Sequence, residues 1–212
     1  MSRRRDAALR AGALELAESM RCITASELGK ILGRSVSTAK SVLEELAASG
    51  QLRKYMVMNK LAAYCAPSAS PGAAIRAVLR SLGVREKLLL RAIKGIVEGA
   101  RGRKICISVY QIYRKNTPAT NAAVLAYMAS VLGGVFHRGR YGRTYVCADA
   151  EEAKRRVEAE EIYPPDGVVR LAERRHLNAC KRRASASRRA PSPPPRVEAS
   201  EEEEIEVLRG RV

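Results

Sequence analysis

Residues 34–41, Arg-Ser-Val-Ser-Thr-Ala-Lys-Ser, combine cations and hydroxyls where a turn leads into a predicted helix. Side chains of these types at the start of a helix bind phosphate oxygens and the edges of bases. The carboxylates of Glu44 and Glu45 follow, where bound DNA is expected to have curved away. The competing interpretation is an ordinary solvated helix face. The candidate contacts are Arg34, Ser35, Ser37, Thr38, Lys40 and Ser41.

Two predicted hairpins carry further cations near their turns. The first turns at Met58-Asn59-Lys60 and the second at Gly139-Arg140-Tyr141-Gly142, where two glycines allow a narrow tip. An arginine at such a tip suits a phosphate backbone or a narrow minor groove. The alternative is a charged loop that only maintains solubility. The candidates are Arg53, Lys54, Asn59 and Lys60 in the first hairpin, and His137, Arg138, Arg140, Tyr141 and Arg143 in the second.

The cysteines and histidines do not have the spacing of a metal site. The five cysteines are widely separated, whereas zinc ligands usually come in close pairs such as C-x2-C. His137 and His176 are isolated from one another and from the cysteines. The sequence also lacks a nucleophile elbow, a P-loop and a paired-carboxylate motif. We therefore expect no metal, no cofactor and no enzymatic activity.

The charge of the chain points to a polyanionic partner. The net charge is +17 and the isoelectric point is about 10.2, which is typical of nucleic-acid-binding proteins. Residues 67–150 carry 14 basic and 3 acidic side chains, and residues 197–212 reverse the sign with 2 and 6. No apolar run reaches the length of a bilayer span, and the N-terminal residues lack the apolar core of a signal peptide. We expect no membrane partner and a cytoplasmic, nucleoid-associated protein.

An internal duplication organises these candidates. Cys22-Ile23-Thr24 is echoed by Cys106-Ile107-Ser108, and Cys65-Ala66 by Cys147-Ala148. Between these markers each copy shows a short helical pattern, a polar turn, a second helix ending at glycine, and two extended runs. With the helix that precedes it, each copy is predicted to run helix, short strand, helix, turn, helix, hairpin.

These patterns predict a mainly α fold with small β hairpins. The predicted parts are a first unit over residues 6–66, a linker and linker helix over 67–83, and a second unit over 84–148. A basic helical extension over 150–183 and a disordered tail over 184–212 with an acidic end follow. The acidic end is expected either to shield the basic tail from DNA or to be a solvated end with no partner.

The first unit resembles the winged helix-turn-helix modules of bacterial and archaeal transcription regulators. The resemblance is carried by the Thr24 cap, the turn Gly33-Arg34-Ser35, the helix start Ser-Val-Ser-Thr-Ala, and the exit Leu43, Leu46, Gly50, Leu52. The second unit shares it through the repeat, which implies tandem winged helices. The family implies duplex DNA binding, with the second helix of each pair in the major groove and the hairpin, or wing, beside it.

The second unit departs from the family pattern. Its corresponding helix, opened by Thr117-Pro118, is expected to present Thr120, Asn121 and several alanines outward, with few donors and no cations. Thr117, Thr120 and Asn121 are the candidate contacts there, while the basic hairpin would grip phosphates and the helix would meet a protein partner. Double-stranded DNA binding, as a transcription regulator or chromatin-associated factor, is the favoured function. The alternative is a protein-docking subunit of a transcription, replication or RNA-processing complex.

The resemblance also has a consequence for the cysteines. In a winged helix the short strand before the helix pair joins the wing sheet, which would place Cys22 beside Cys65 and Cys106 beside Cys147. Two cross-strand disulfides would form if the Cα atoms lie within ~4.4–6.8 Å. The alternative is four small thiols buried in a tight core.

Overall fold

The structure, a computed structural model, describes residues 2–114, 117–139, 143–160 and 162–172, with side chains from residue 7 onwards. It has a mixed α/β fold in which helices predominate and the strands form two small antiparallel sheets. The elements are α1 (Ser2–Ser19), β1 (Cys22–Ile23), α2 (Ala25–Ile31), α3 (Val36–Ala48), β2 (Arg53–Val57), β3 (Leu61–Cys65), α4 (Pro71–Ser81), α5 (Glu86–Glu98), β4 (Lys104–Ser108), α6 (Val109–Ile112), α7 (Pro118–Leu132), β5 (Val135–Arg138), β6 (Thr144–Asp149), α8 (Ala150–Ala159) and β7 (Val169–Leu171).

The two halves repeat both the order of elements and the order of strands. Helix, strand, two helices and a hairpin run from α1 to β3 and again from α5 to β6. The strand order is β1-β3-β2 in the first sheet and β4-β6-β5 in the second, so the first strand of each unit lies beside the last strand of its hairpin. The first strand has two residues in β1 and five in β4. The first sheet has one addition, because β7 pairs with the outer edge of β2.

Local signals account for the helix pair of the first unit. The Thr24 hydroxyl accepts a hydrogen bond from the Glu27 amide, and the Glu27 carboxylate accepts one from the Thr24 amide, forming a capping box. The Ser35 hydroxyl accepts from the Thr38 amide and caps α3. Gly29 of α2 lies against the turn that leads into α3, where an added Cβ would lie 2.8 Å from the Arg34 carbonyl oxygen. A larger residue at that position would force the two helices apart.

Two cores lie on opposite faces of the first sheet. On one face, α1, α2 and α3 bury Leu28, Leu43 and Leu46 against Ile23 and Tyr64. The other face contributes the side chains of a larger core, which extends through α4 into the helices of the second unit. Its first-sheet members are Cys22, Tyr55, Val57, Ala63 and Cys65.

The predicted linker helix is instead the packing centre of the molecule. Helix α4 buries Ala74, Ile75, Ala77 and Val78, and it contacts the first sheet on one side and α7 on the other. Arg80 fastens its end to the first unit, donating to the Glu27 carboxylate at 2.6 Å and to a backbone carbonyl in β1 at 2.8 Å. Helix α4, which lies within the predicted linker and linker helix over residues 67–83, is thus packed on two sides, because an apolar stripe on a helix must be buried against a neighbouring surface.

The predicted basic helical extension over residues 150–183 is helical in α8, but residues 169–171 form a strand instead. Helix α8 ends at Ala159, and Pro164-Pro165 prevent its continuation. The chain then extends, buries Val168, and forms β7 antiparallel to β2, with Val169 opposite Val57. An unpaired strand edge stabilises such a segment by supplying the backbone partners that it lacks. Residues 173–183 of that prediction, and the tail over 184–212, lie outside the described residues.

Candidate nucleic-acid interface

The N-terminal half of α3 is divided into an anchored face and an open face. Ala39, Val42 and Leu43 are buried against α1 and α2, which fixes the rotation of the helix. On the opposite face Ser37, Lys40 and Ser41 are exposed, and Arg34 is exposed in the turn that precedes the helix. No ion pair joins Arg34 or Lys40 to an acidic group within the described ranges. This face can therefore donate to an anion without first breaking an internal contact.

Two of the predicted hydroxyl contacts are occupied by the helix cap. The Ser35 and Thr38 hydroxyls lie 2.8 Å apart, and the Ser35 oxygen also accepts from the Thr38 amide at 3.1 Å. Both side chains remain exposed. They set the geometry of the helix start, and each hydroxyl keeps further hydrogen-bonding capacity.

Lys54 does not lie on the open surface that the sequence predicted for it. Its ammonium donates to the Glu44 carboxylate, which also accepts from the Tyr64 hydroxyl at 2.9 Å. Only 16% of the Lys54 side chain is exposed, because this residue stands opposite Tyr64 on the face of β2 that packs towards α3. Burial raises the pKa of the Tyr64 phenol, and the neighbouring Glu44 carboxylate raises it further. Lys54, Glu44 and Tyr64 thus link α3 to the first sheet.

The other carboxylate of α3 is also engaged. Glu45 accepts a hydrogen bond from Arg10 of α1 at 2.5 Å, and both side chains are about half exposed. The acidic end of the helix therefore supports the first unit's packing while its basic and hydroxyl-bearing start stays open.

The hairpin of the first unit exposes three of its four predicted contacts. Arg53, Asn59 and Lys60 are exposed, and Met58 and Asn59 adopt positive φ angles of 51° and 56° in the tight turn. Strand β7 brings one cation that the sequence did not indicate, since Arg170 is exposed and lies opposite Met56. The pairing spans more than a hundred residues, so no local pattern could have revealed it.

The expectation that α7 presents Thr120, Asn121 and alanines outward is wrong. Eleven of the fifteen residues of α7 are buried, among them Thr120, while Asn121 is partly buried. The Thr117 hydroxyl is exposed but caps the helix by accepting from the Thr120 amide at 3.2 Å. Helices α4 and α8 and strand β6 surround α7, because a helix that is apolar on all sides must be buried on all sides.

The covering of α7 comes from the chain's own next helix. Ala153 and Val157 of α8 are buried, and the guanidinium of Arg156 lies over Gly133 at the end of α7, where an added Cβ would clash at 2.7 Å. The protein partner expected on this helix thus has its place taken by α8 and α4.

The hairpin of the second unit is open and basic. His137 and Arg138 in β5 are exposed, as is Arg143, and the Gly139 amide donates to the Arg143 carbonyl at 2.8 Å to close the turn. Arg140 and Tyr141 lie outside the described residues. The Arg143 guanidinium lies 5.9 Å from the ring centroid of Tyr110, a contact within cation–π range.

Tyr110 was missed as a functional candidate. It lies in α6, and 55% of its surface is exposed beside Arg143. An exposed aromatic ring next to a cation suits contact with a sugar or an unstacked base. The contact joins residues more than thirty positions apart, so only the fold brings them together.

The structure joins the cysteines in the pairs implied by the winged-helix resemblance. Cys22–Cys65 and Cys106–Cys147 are bonded at 2.09 and 2.02 Å and stand directly opposite one another in their sheets. Their Cα atoms are 3.9 and 4.0 Å apart, slightly closer than the expected lower bound of ~4.4 Å. The first pair is completely buried under α4, whereas Cys106 is exposed on the outer face of the second sheet.

Other kinds of site find little support in the described part of the chain. It contains no group of three or more His, Cys, Asp or Glu residues placed to hold a metal ion. No helix in these ranges is both long enough and apolar enough to cross a bilayer. The chain matches no protein-family model, and comparisons with curated proteins and with solved structures find no significant similarity.

Proposed function

We propose that the chain is a tandem winged-helix protein that binds duplex DNA and reads it with α3 of the first unit. The observation that carries the proposal is the open start of α3, where Arg34, Lys40 and the neighbouring hydroxyls face solvent while the rest of the helix is anchored. A helix presented in this way fits the major groove and meets phosphates and base edges with its first turns.

The winged-helix interpretation of both halves rests on their shared topology. Each half sets a strand, a helix pair and a hairpin in the strand order first, third, second. In the first unit the hairpin exposes Arg53 and Lys60. The family resemblance of the sequence and this arrangement support the same function, either in transcription regulation or in chromatin organisation.

The second unit contributes through its hairpin in this proposal. His137, Arg138 and Arg143 are exposed on this hairpin, and Tyr110 lies beside Arg143, while α7 is enclosed and does not contact DNA. The first unit would supply sequence discrimination, and the second would add phosphate contacts that are independent of sequence.

Titration of a labelled duplex at several salt concentrations tests this proposal. If the two units meet ~6–8 phosphates, the logarithm of the binding constant should fall with the logarithm of salt concentration at a slope of about −5 to −7. Lys40→Ala should weaken binding by about 1 kcal/mol and reduce the slope by about one. Lys154→Ala removes the same charge from α8, where Lys154 pairs with Glu151, and should change little. Absence of binding at low salt, or a flat salt response, would refute the proposal.

A protein-docking role for the first unit is the second candidate. Ile31 and Val36, on either side of the α2–α3 turn, are 50% and 54% exposed, and exposed apolar side chains near one another favour a protein partner. The duplex titration separates the two functions. A Val36→Ser variant that binds DNA normally, while Lys40→Ala does not, favours DNA as the ligand of α3.

A further inference from the structure

The two sheets differ at the same edge. In the first, the outer edge of β2 is completed by β7, with the Met58 amide donating to the Val168 carbonyl and the Ala172 amide to the Lys54 carbonyl, both at 2.8 Å. In the second, the corresponding strand β5 pairs with β6 on one side and has no strand on its other side among the described residues. All four residues of β5 are exposed.

The open edge of β5 has defined backbone donors. Because the Gly139 amide donates to Arg143, the alternation of an antiparallel ladder bonds Val135 and His137 to β6. The amides and carbonyls of Phe136 and Arg138 are therefore directed to the open edge. An exposed strand edge of this kind is a template for a further strand, and native proteins usually cover or blunt it.

The side chains of β5 and its hairpin determine which kind of segment can pair with the open edge. Val135 and Phe136 are 60% and 39% exposed, which favours apolar contacts. Arg138 and Arg143 add positive charge. A second copy of β5 placed on the same edge would bring the positive charges of two such hairpins together, and like charges across a strand pair are destabilising. Val135 and His137 lie on one face of the sheet and Phe136 and Arg138 on the other, so the edge suits an extended segment that carries both acidic and apolar residues.

The chain carries a segment with this composition near its end. Residues 201–208 read Glu-Glu-Glu-Glu-Ile-Glu-Val-Leu and lie outside the described residues. About 30 residues separate them from the last described position, enough to span up to ~100 Å when extended. A compact body of this size is only about 40 Å across, so the segment can reach β5.

We propose that residues 204–208 of this chain bind the outer edge of β5 as an additional strand. The segment would then do for the second sheet what β7 does for the first. The glutamates that precede it would lie against the arginines of the second hairpin. If the chain binds DNA as proposed above, the tethered segment competes with DNA phosphates at a high effective concentration. Only this competition rests on the proposed function, and the docking of the segment does not.

Residue-resolved amide exchange on the full chain, without DNA, tests the docking. Ile205→Pro combined with Leu208→Pro places a proline on each alternating edge of the segment and keeps every glutamate. The amides of Phe136 and Arg138 should exchange about tenfold or more faster in this variant, while those of Val135 and His137, bonded to β6, should not change. Val197→Pro with Ala199→Pro adds the same prolines outside the segment and should leave all four amides as in the parent chain.

Equal exchange of Phe136 and Arg138 in the parent chain and the proline variant would overturn the proposal. Protection of these two amides in the proline variant that rises with protein concentration would also overturn it, because a second copy of the chain would then occupy the edge. Non-specific duplex affinity should increase severalfold in the proline variant. Because the exchange is measured without DNA, failure of the chain to bind DNA would remove the proposed function and leave the docking result standing.

Discussion

The two halves of the molecule share one topology but leave different elements of it open to solvent. The first unit leaves the start of α3 open and covers its sheet, with α4 on the outer face and β7 on the edge. The second unit encloses α7 and leaves its sheet open, with Cys106 exposed on the outer face and β5 at the edge. Two units with the same order of helices and strands therefore need not present the same binding surface.

The physical reason lies in the third helix of each unit and in the elements that cover it. Helix α3 alternates buried apolar and exposed polar positions, so one face can remain in water. Helix α7 is apolar nearly throughout and requires burial on every side, which α4 and α8 supply. A duplicated unit can thus become a scaffold when the exposed face of its helix loses its polar residues.

The largest effect should come from placing one charge at matched positions in the two helices. Ser41 and Ala123 each stand six residues after their N-caps, Ser35 and Thr117, but Ser41 is exposed and Ala123 is fully buried. Ala123→Lys should lower the free energy of unfolding by about 3–5 kcal/mol, because it buries a charge without a partner. Ser41→Lys should stay within about 0.5 kcal/mol. Urea denaturation measures both, and similar losses would mean that the helices are not differently enclosed.

A smaller effect should distinguish the helix pairs themselves. In the first unit, α2 approaches the start of α3 closely at Gly29. In the second unit the helix before α7 is α6, which has only four residues. Gly29→Ala should destabilise the protein by about 1–3 kcal/mol, since the new Cβ meets the backbone oxygen of Arg34. Gly95→Ala in α5 has no atom within 4 Å of its new Cβ and should stabilise by up to about 1 kcal/mol. Thermal unfolding compares the two variants, and an equal gain would contradict the close approach of α2 and α3.

Local features of the fold could be predicted from the sequence because local interactions decide them. Thr24, Ser35 and Thr117 cap helices as their types suggest, and the Met58–Lys60 turn is expected from its flanking extended runs. The central place of α4 and the pairing of β7 with β2 depend on contacts between distant segments, which leave no local pattern. The orientation of Lys54 depends on the pairing register with Tyr64, so it could be assigned only once the sheet was known.

The candidate site could also be predicted from the sequence only where a local pattern determines it. The open face of α3 could be identified because amphipathic periodicity states which side of a helix is buried. The outward direction predicted for Thr120 and Asn121 is wrong because α7 is apolar on nearly every side, and such a helix is enclosed whatever its place in a repeat. Residue types report the environment of a helix more directly than its position in a duplication does.

The smallest of these effects should appear in the reduction of the two disulfides. Their loops are alike, with sequence separations of 43 and 41, so chain entropy favours neither. Access differs, since Cys22–Cys65 is sealed by α4 while Cys106 is exposed, and thiol attack requires access to a sulfur. Under native conditions Cys106–Cys147 should be reduced on the order of tenfold faster, as followed by timed alkylation and mass spectrometry. In urea the two rates should converge, because unfolding removes the cover. Equal native rates would show that α4 does not seal the first sheet, and the contrast between the two units would then fail at this face.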